Sequence, residues 1–153
     1  MRAVGWQVDL HSLGEGFPAP DANALARARA VIEALPDDAL AVVDGLAFGV
    51  LDELVQAHSQ RLRWVGLVHH PLALESGLSD VQQQTLHASE QRALKAARHV
   101  IVTSPFTARN LATEFGVAAD RIDIVEPGTD EAPIAAGSAP GDALNQLCVA
   151  TIT

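Results

Sequence analysis

The sequence has no tyrosine, four phenylalanines and two tryptophans among its 153 residues, so its hydrophobic core has to be assembled from Ala, Val, Leu and Ile. It has a single cysteine, Cys148. That excludes an intrachain disulfide framework and any thiolate metal cluster, and it fits a reduced, cytoplasmic setting. Positive charge is scarce: Lys95 is the only lysine, the arginines are dispersed, and the net charge is −9. Such a chain repels phosphate backbones and has no basic patch for anionic lipid, so neither nucleic acid nor a membrane surface is an expected partner. No apolar run approaches the roughly 20 residues of a membrane-spanning helix. Residues 1–20 lack the basic head and apolar stretch of a secretory leader, so none is expected.

Several kinds of chemistry are absent as well. There is no G-x-x-x-x-G-K-[ST] to cradle a triphosphate and no G-x-G-x-x-G after a strand to hold a dinucleotide. There is no G-x-S-x-G nucleophile elbow. No D-x-D pair and no two histidines at i, i+4 are present, and the adjacent rings of His69 and His70 at a strand end point in different directions, so no metal site is expected. Nothing in the pattern calls for a cofactor.

What is present is an alternation of short apolar runs with longer helical stretches. Ala3 to Leu10 reads as a strand, with Trp6 in the core. Asp21 caps an Ala-rich helix over Ala22 to Leu35. Leu40 to Val43 is a fully apolar strand, and a helix is expected over Phe48 to Ser59. The strand Leu62 to Val68, with Trp64 as core, ends at His69-His70-Pro71, where proline stops the ladder. Ser79 or Asp80 caps a long helix to Ala97, whose Gln82, Gln83, Gln84, Glu90, Arg92 and Lys95 read as a solvated face. His99 to Val102 is a strand. Ser104-Pro105 starts a helix to Phe115 that Gly116 stops. Arg121 to Val125 is a strand, residues 131 to 142 read as a linker, and Leu147 to Ile152 begins another strand. His11, His58, His87 and His99 read as surface or helix-end residues. Strands alternating with helices imply βαβ units: an α/β fold with a Rossmann-like parallel sheet and helices on both faces.

Open parallel sheets bind ligands beyond the carboxyl ends of their strands. Here those ends carry compact polar groups: Asp44-Gly45, His69-His70-Pro71, Thr103-Ser104 and Glu126-Pro127-Gly128-Thr129-Asp130. In order and spacing, VGLVH ending at His69, HVIVTSPFTARNL, IDIVEPGTD and LCVATIT resemble the N-terminal domain of the retaining GT-B glycosyltransferases, and the resemblance runs from Ala41 to Thr153. Gly128 and Asp130 keep the family's pattern, while its Asn-Val step is replaced by a shortened EPGT.

The resemblance implies transfer of a sugar from a nucleotide-sugar donor to an acceptor with retention of anomeric configuration and without a metal, since a cationic cluster of a second domain stabilises the leaving diphosphate. It implies a domain over residues 1–130 lacking the family's first strand–helix unit, a linker over 131–146, and the start of a nucleotide-binding domain at 147–153. The family's basic residues and paired glutamates for the donor lie in that second domain, and no E-x7-E spacing occurs here. Residues 1–153 alone are therefore expected to be inactive, with the donor bound through the missing domain.

The matching histidine, His69, is the expected catalytic-cleft residue, because imidazole can donate or accept a hydrogen bond near neutral pH. The other reading of a strand-end histidine is one satisfied by backbone. For substrate binding, His70, Glu75, Ser104 and Asp44 are the candidates. Each has a plain alternative: positioning by Pro71 for His70, a solvated loop acid for Glu75, a helix cap for Ser104 and a turn-forming Asp-Gly for Asp44. Glu126, Gly128 and Asp130 are the expected hinge. A gap where the first strand belongs leaves backbone groups unpaired, which the strand 147–152 can fill within one chain or by exchange, so a homo-oligomer is expected. The alternative function is a non-catalytic binding or interaction module that reuses the fold. A flavodoxin-like phosphate binder is disfavoured by the lack of a phosphate-cradling loop.

Overall fold

In a computed structural model, residues 5–128, 130–133, 137–138, 141 and 143 are described. The chain forms α1 (Ala22–Ala34), β1 (Leu40–Asp44), α2 (Gly45–Phe48), α3 (Asp52–Ala57), β2 (Arg63–Val68), α4 (Asp80–Ala96), β3 (His99–Val102), α5 (Pro105–Thr113) and β4 (Ile122–Ile124). Single 3-10 turns at Leu72–Leu74 and Ala119–Arg121 complete the order. The four strands make one parallel sheet in the sequential order β1-β2-β3-β4. The register sets Asp44 beside Leu67, Val68 beside Val102, and Val102 beside Ile124. All four strands therefore finish at one level.

The helix ends follow local chemistry. Asp21 accepts from the Ala24 N–H at 2.7 Å, and Ser79 and Gln82 form a reciprocal capping box at the start of α4. Ser104 caps α5 with Pro105 in its first turn. Gly116, at φ +69°, lets the chain turn back so that the Val117 N–H reaches the Leu111 carbonyl at 3.0 Å. Two arginines close helices at their other ends. Arg61 donates to the carbonyls of Ile32 and Leu35 at the end of α1, and Arg121 to those of Leu94 and Ala97 at the end of α4. A guanidinium there satisfies orphan carbonyls and complements the negative helix end.

The core gathers Trp64 and Val68 of β2 and Val100 and Val102 of β3 with Phe48, Leu54, Leu94, Leu111 and Phe115 from the helices. These strand residues alternate, so they share one face. On the other face Leu40 and Val42 are 45% exposed, while Val65, beside Val42 in the ladder, is buried.

The parallel α/β class, the strands Leu40–Asp44, Arg63–Val68 and His99–Val102, and the helices beginning at Ala22, Asp80 and Pro105 agree with the sequence expectations. Four readings need correction. Residues 5–10 form no strand, and Trp6 is 58% and Leu10 85% exposed: an alternating apolar run becomes a strand only where a ladder partner stands beside it. The helix expected over 48–59 is two short helices, because the chain turns at Gly49, the C-cap of α2. Glu90 is not on a solvated face; it is 1% exposed. His87 is not a free surface group: its ring stacks on Phe115 at 4.5 Å between centroids. The expected strand 147–152 lies outside the described residues, as does much of the linker.

Candidate functional site

Asp44 ends β1 and His69 follows β2, so both belong to the lip at the carboxyl ends of the sheet. Asp44 lies beside Leu67 in the ladder, and His69 is two residues beyond Leu67 and therefore on the same side. This register brings the Asp44 carboxylate to 3.9 Å from the His69 Nε2. Both side chains stay more than half exposed, open to a ligand. Asp44 is held by its second role: its Oδ1 accepts from the Leu46 N–H at 3.0 Å and caps α2. Oδ2 is the atom that faces the imidazole. The Asp-Gly step fits closely here: a Cβ on Gly45 would crowd the Leu67 carbonyl oxygen at 3.1 Å and meet the Val68 Cα at 3.4 Å.

His69 is fixed through its backbone. The Thr107 hydroxyl on α5 donates to the His69 carbonyl at 3.1 Å and lies 3.0 Å from the Ser104 hydroxyl, which in turn accepts from the Thr107 N–H at 3.1 Å. Ser104 is thus occupied as a helix cap. His70 is exposed, while Pro71 beside it is buried and starts the 3-10 turn. Glu75 closes that turn and is exposed, and no polar contact of its side chain reaches the Asp44–His69 pair among the described residues. Glu126, Gly128 and Asp130 follow β4 and are exposed. The structure therefore joins Asp44, His69, Ser104 and Thr107 into one contact chain, and leaves His70, Glu75 and the residues after β4 around it.

Two contributors escape a reading of the sequence. Thr107, 2% exposed, sits three residues after Ser104 in SPFT, a spacing that marks a cap and says nothing of its bond to His69. Glu90, on α4, accepts through Oε2 from the Leu72 N–H at 2.9 Å and also binds the Ala73 N–H. Burial pushes its carboxyl up to about 7, against the pull of those two backbone donors. Its signal was weak but present: Glu90 shares a helical stripe with Ala93, Leu94 and Ala97, all buried.

A cleft of about 410 Å³ lined by Ala73, Leu74, Gln83, Gln84, His87 and Glu114 opens beside the 3-10 turn. The Asp44–His69 pair does not line it, so the lip and not this cleft is the better-supported site. No group of three or more His, Cys, Asp or Glu gathers as a metal site among the described residues. No helix among them is long and apolar enough to cross a membrane. No lysine or arginine occurs in the strand-end segments 44–46, 69–75, 103–107 or 125–128, so these segments themselves offer hydroxyl, imidazole and carboxylate groups. A family model described as Glycosyltransferase Family 4 matches residues 2–132. A comparison with curated proteins finds no match.

Proposed function

The chain belongs to Glycosyltransferase Family 4, and we propose that it supplies the acceptor side of a retaining transfer from a nucleotide-sugar donor. The observation that carries this reading is the pairing of Asp44 with His69 at the ends of adjacent parallel strands. An exposed imidazole can donate to or accept from a sugar hydroxyl, and a carboxylate beside it orients the ring. At 3.9 Å the pair is loose, as polar contacts in an unliganded site often are before substrate tightens them. His70 and Glu75 extend the polar rim towards the acceptor, and Glu126, Gly128 and Asp130 form the hinge. The strand-end segments contribute no lysine or arginine to offset a leaving diphosphate, which supports a donor held by a second domain and no turnover by this chain alone. A cytoplasmic site of action is supported by the single cysteine. The outer edge of β1 has no ladder partner among the described residues, which supports association of two copies. Light scattering that shows a monomer at every concentration contradicts that part.

The test is transfer from a panel of nucleotide sugars by residues 1–153 alone and by the same residues joined to the nucleotide-binding domain of another member of the family. The expected outcome is turnover only in the joined protein, an α-configured product from an α-configured donor by NMR, and a loss of at least about 100-fold with His69→Ala, the scale of a positioned acid–base or polarising group. Turnover by the joined protein that survives His69→Ala overturns the role of His69. No turnover, with no binding of any sugar, leaves the fold without the activity and favours a binding module.

A further inference from the structure

Two adjacent residues of α4, Ser89 and Glu90, are buried at 9% and 1% exposure, and each bonds to a different strand-end loop. The Ser89 hydroxyl donates to the Gly49 carbonyl at 2.6 Å. Gly49 is the C-cap of α2, the short helix that Asp44 caps at its other end. Glu90 Oε2 accepts from the Leu72 N–H at 2.9 Å and the carboxyl also binds the Ala73 N–H, at the start of the turn that follows His69-His70-Pro71. The loops also touch each other at this point. A Cβ on Gly49 would meet the Leu72 Cδ1 at 2.7 Å and the Glu90 Cγ at 3.4 Å, so any larger residue there makes the Leu72 side chain shift.

We propose that the Ser89–Glu90 step is a positioning element of the candidate site, which sets Asp44 and His69 against each other by anchoring both of their loops to one turn of α4. Neither residue touches the pair, and both act through backbone. Because the bonds are buried, water does not compete for them, and a small movement of this turn is passed to both loops. The anchor is also sensitive to protons. Glu90 Oε1 has no hydrogen-bond partner among the described residues, and burial raises the carboxyl to about 7. The ionised form is the stronger acceptor for two N–H donors, so the hold on the His69 loop tightens as pH rises through that range.

The charged groups near Glu90 are accounted for elsewhere. On α4, Arg92 pairs with Asp52 of α3 at 2.6 Å, His87 meets the Glu114 carbonyl, and Lys95 is exposed. On α3, Glu53 is exposed, as are His69, His70 and Glu75 on the loop. None bonds to Glu90 among the described residues.

The proposal rests on the reading of the lip as the site, but its test needs no sugar, so the two can fail separately. Amide NMR of the whole 153-residue protein is recorded from pH 5 to 9. The Leu72 and Ala73 amide protons are expected to move together with one midpoint near 7. Glu90→Gln, which keeps an acceptor oxygen and cannot ionise, is expected to lose that step and to shift the resonances of His69. Ser89→Ala is expected to shift those of Gly49 and Asp44. Absence of a shared step in the wild-type protein, or unmoved His69 and Asp44 resonances in the folded variants, overturns the proposal. Should Glu90→Gln fail to fold, the Glu90 side-chain carboxyl carbon of the wild-type protein is followed by carbon-13 NMR over the same range: a midpoint near 7 assigns the step to Glu90, and a midpoint at the ordinary carboxylate value overturns the assignment.

Discussion

Glu90→Gln has a consequence for stability whose size follows from the buried carboxyl. The group ionises at about 7 in the folded protein against a reference of 4.5. Between those values the unfolded chain has released its proton and the folded chain has kept it. The folded state then binds more protons, so stability falls as pH rises through this window and levels off above it. A shift of that size corresponds to about 3 kcal/mol at 1.36 kcal/mol for each unit. The wild type carries many other ionisable groups, so its pH dependence alone does not isolate the effect. The difference between wild type and Glu90→Gln does, because all other groups are shared. Urea unfolding at half-unit steps from pH 4.5 to 8.5 measures it. The wild type is expected to lose about 3 kcal/mol relative to the variant across the window. A difference that stays flat, or that rises with pH, refutes the description of Glu90 as a buried, desolvated carboxyl.

Three further outcomes follow from the packing. Thr107→Val keeps the shape of a buried side chain but removes its bonds to the His69 carbonyl and the Ser104 hydroxyl; it is expected to cost about 1–2 kcal/mol in urea unfolding, because a carbonyl loses its donor. Trp64→Ala empties the centre of the core beside Phe48, whose ring lies 6.5 Å away, and is expected to cost about 3–5 kcal/mol, read as a lowered Tm. Arg121→Met removes the donor to the Leu94 and Ala97 carbonyls and is expected to raise amide exchange in the last turn of α4 while leaving its first turns unchanged.

The sheet was largely legible in the sequence because its signals are local. Apolar runs such as LAVV and HVIV are bounded by charged or turn residues, and Asp21, Ser79, Ser104 and Gly116 mark helix ends through bonds within a few residues. The position of His69 at the lip was legible for the same reason: it is the first residue after the apolar strand that ends at Val68. What escaped depends on partners far along the chain. Glu90 lies 18 residues from Leu72, and a glutamate between Ser and Gln in a charged helix looks solvated until its stripe is followed to Ala97. The contact of Asp44 with His69 rests on the register of β1 against β2, which no local pattern specifies. Trp6 and Leu10 show the converse, since their alternation has the period of a strand while residues 5–10 form none.

The central claim, that the strand ends around Asp44 and His69 receive a sugar, is tested most directly by amide chemical-shift mapping with a panel of monosaccharides and myo-inositol, and with uridine diphosphate as the contrasting probe. Hydroxylated probes at millimolar concentration are expected to move the resonances of Asp44, His69, His70 and Glu75, His69→Ala to remove these shifts in a folded protein, and uridine diphosphate to leave the resonances in place. Shifts confined to residues away from the strand ends, or a response to uridine diphosphate alone at the same positions, contradict it.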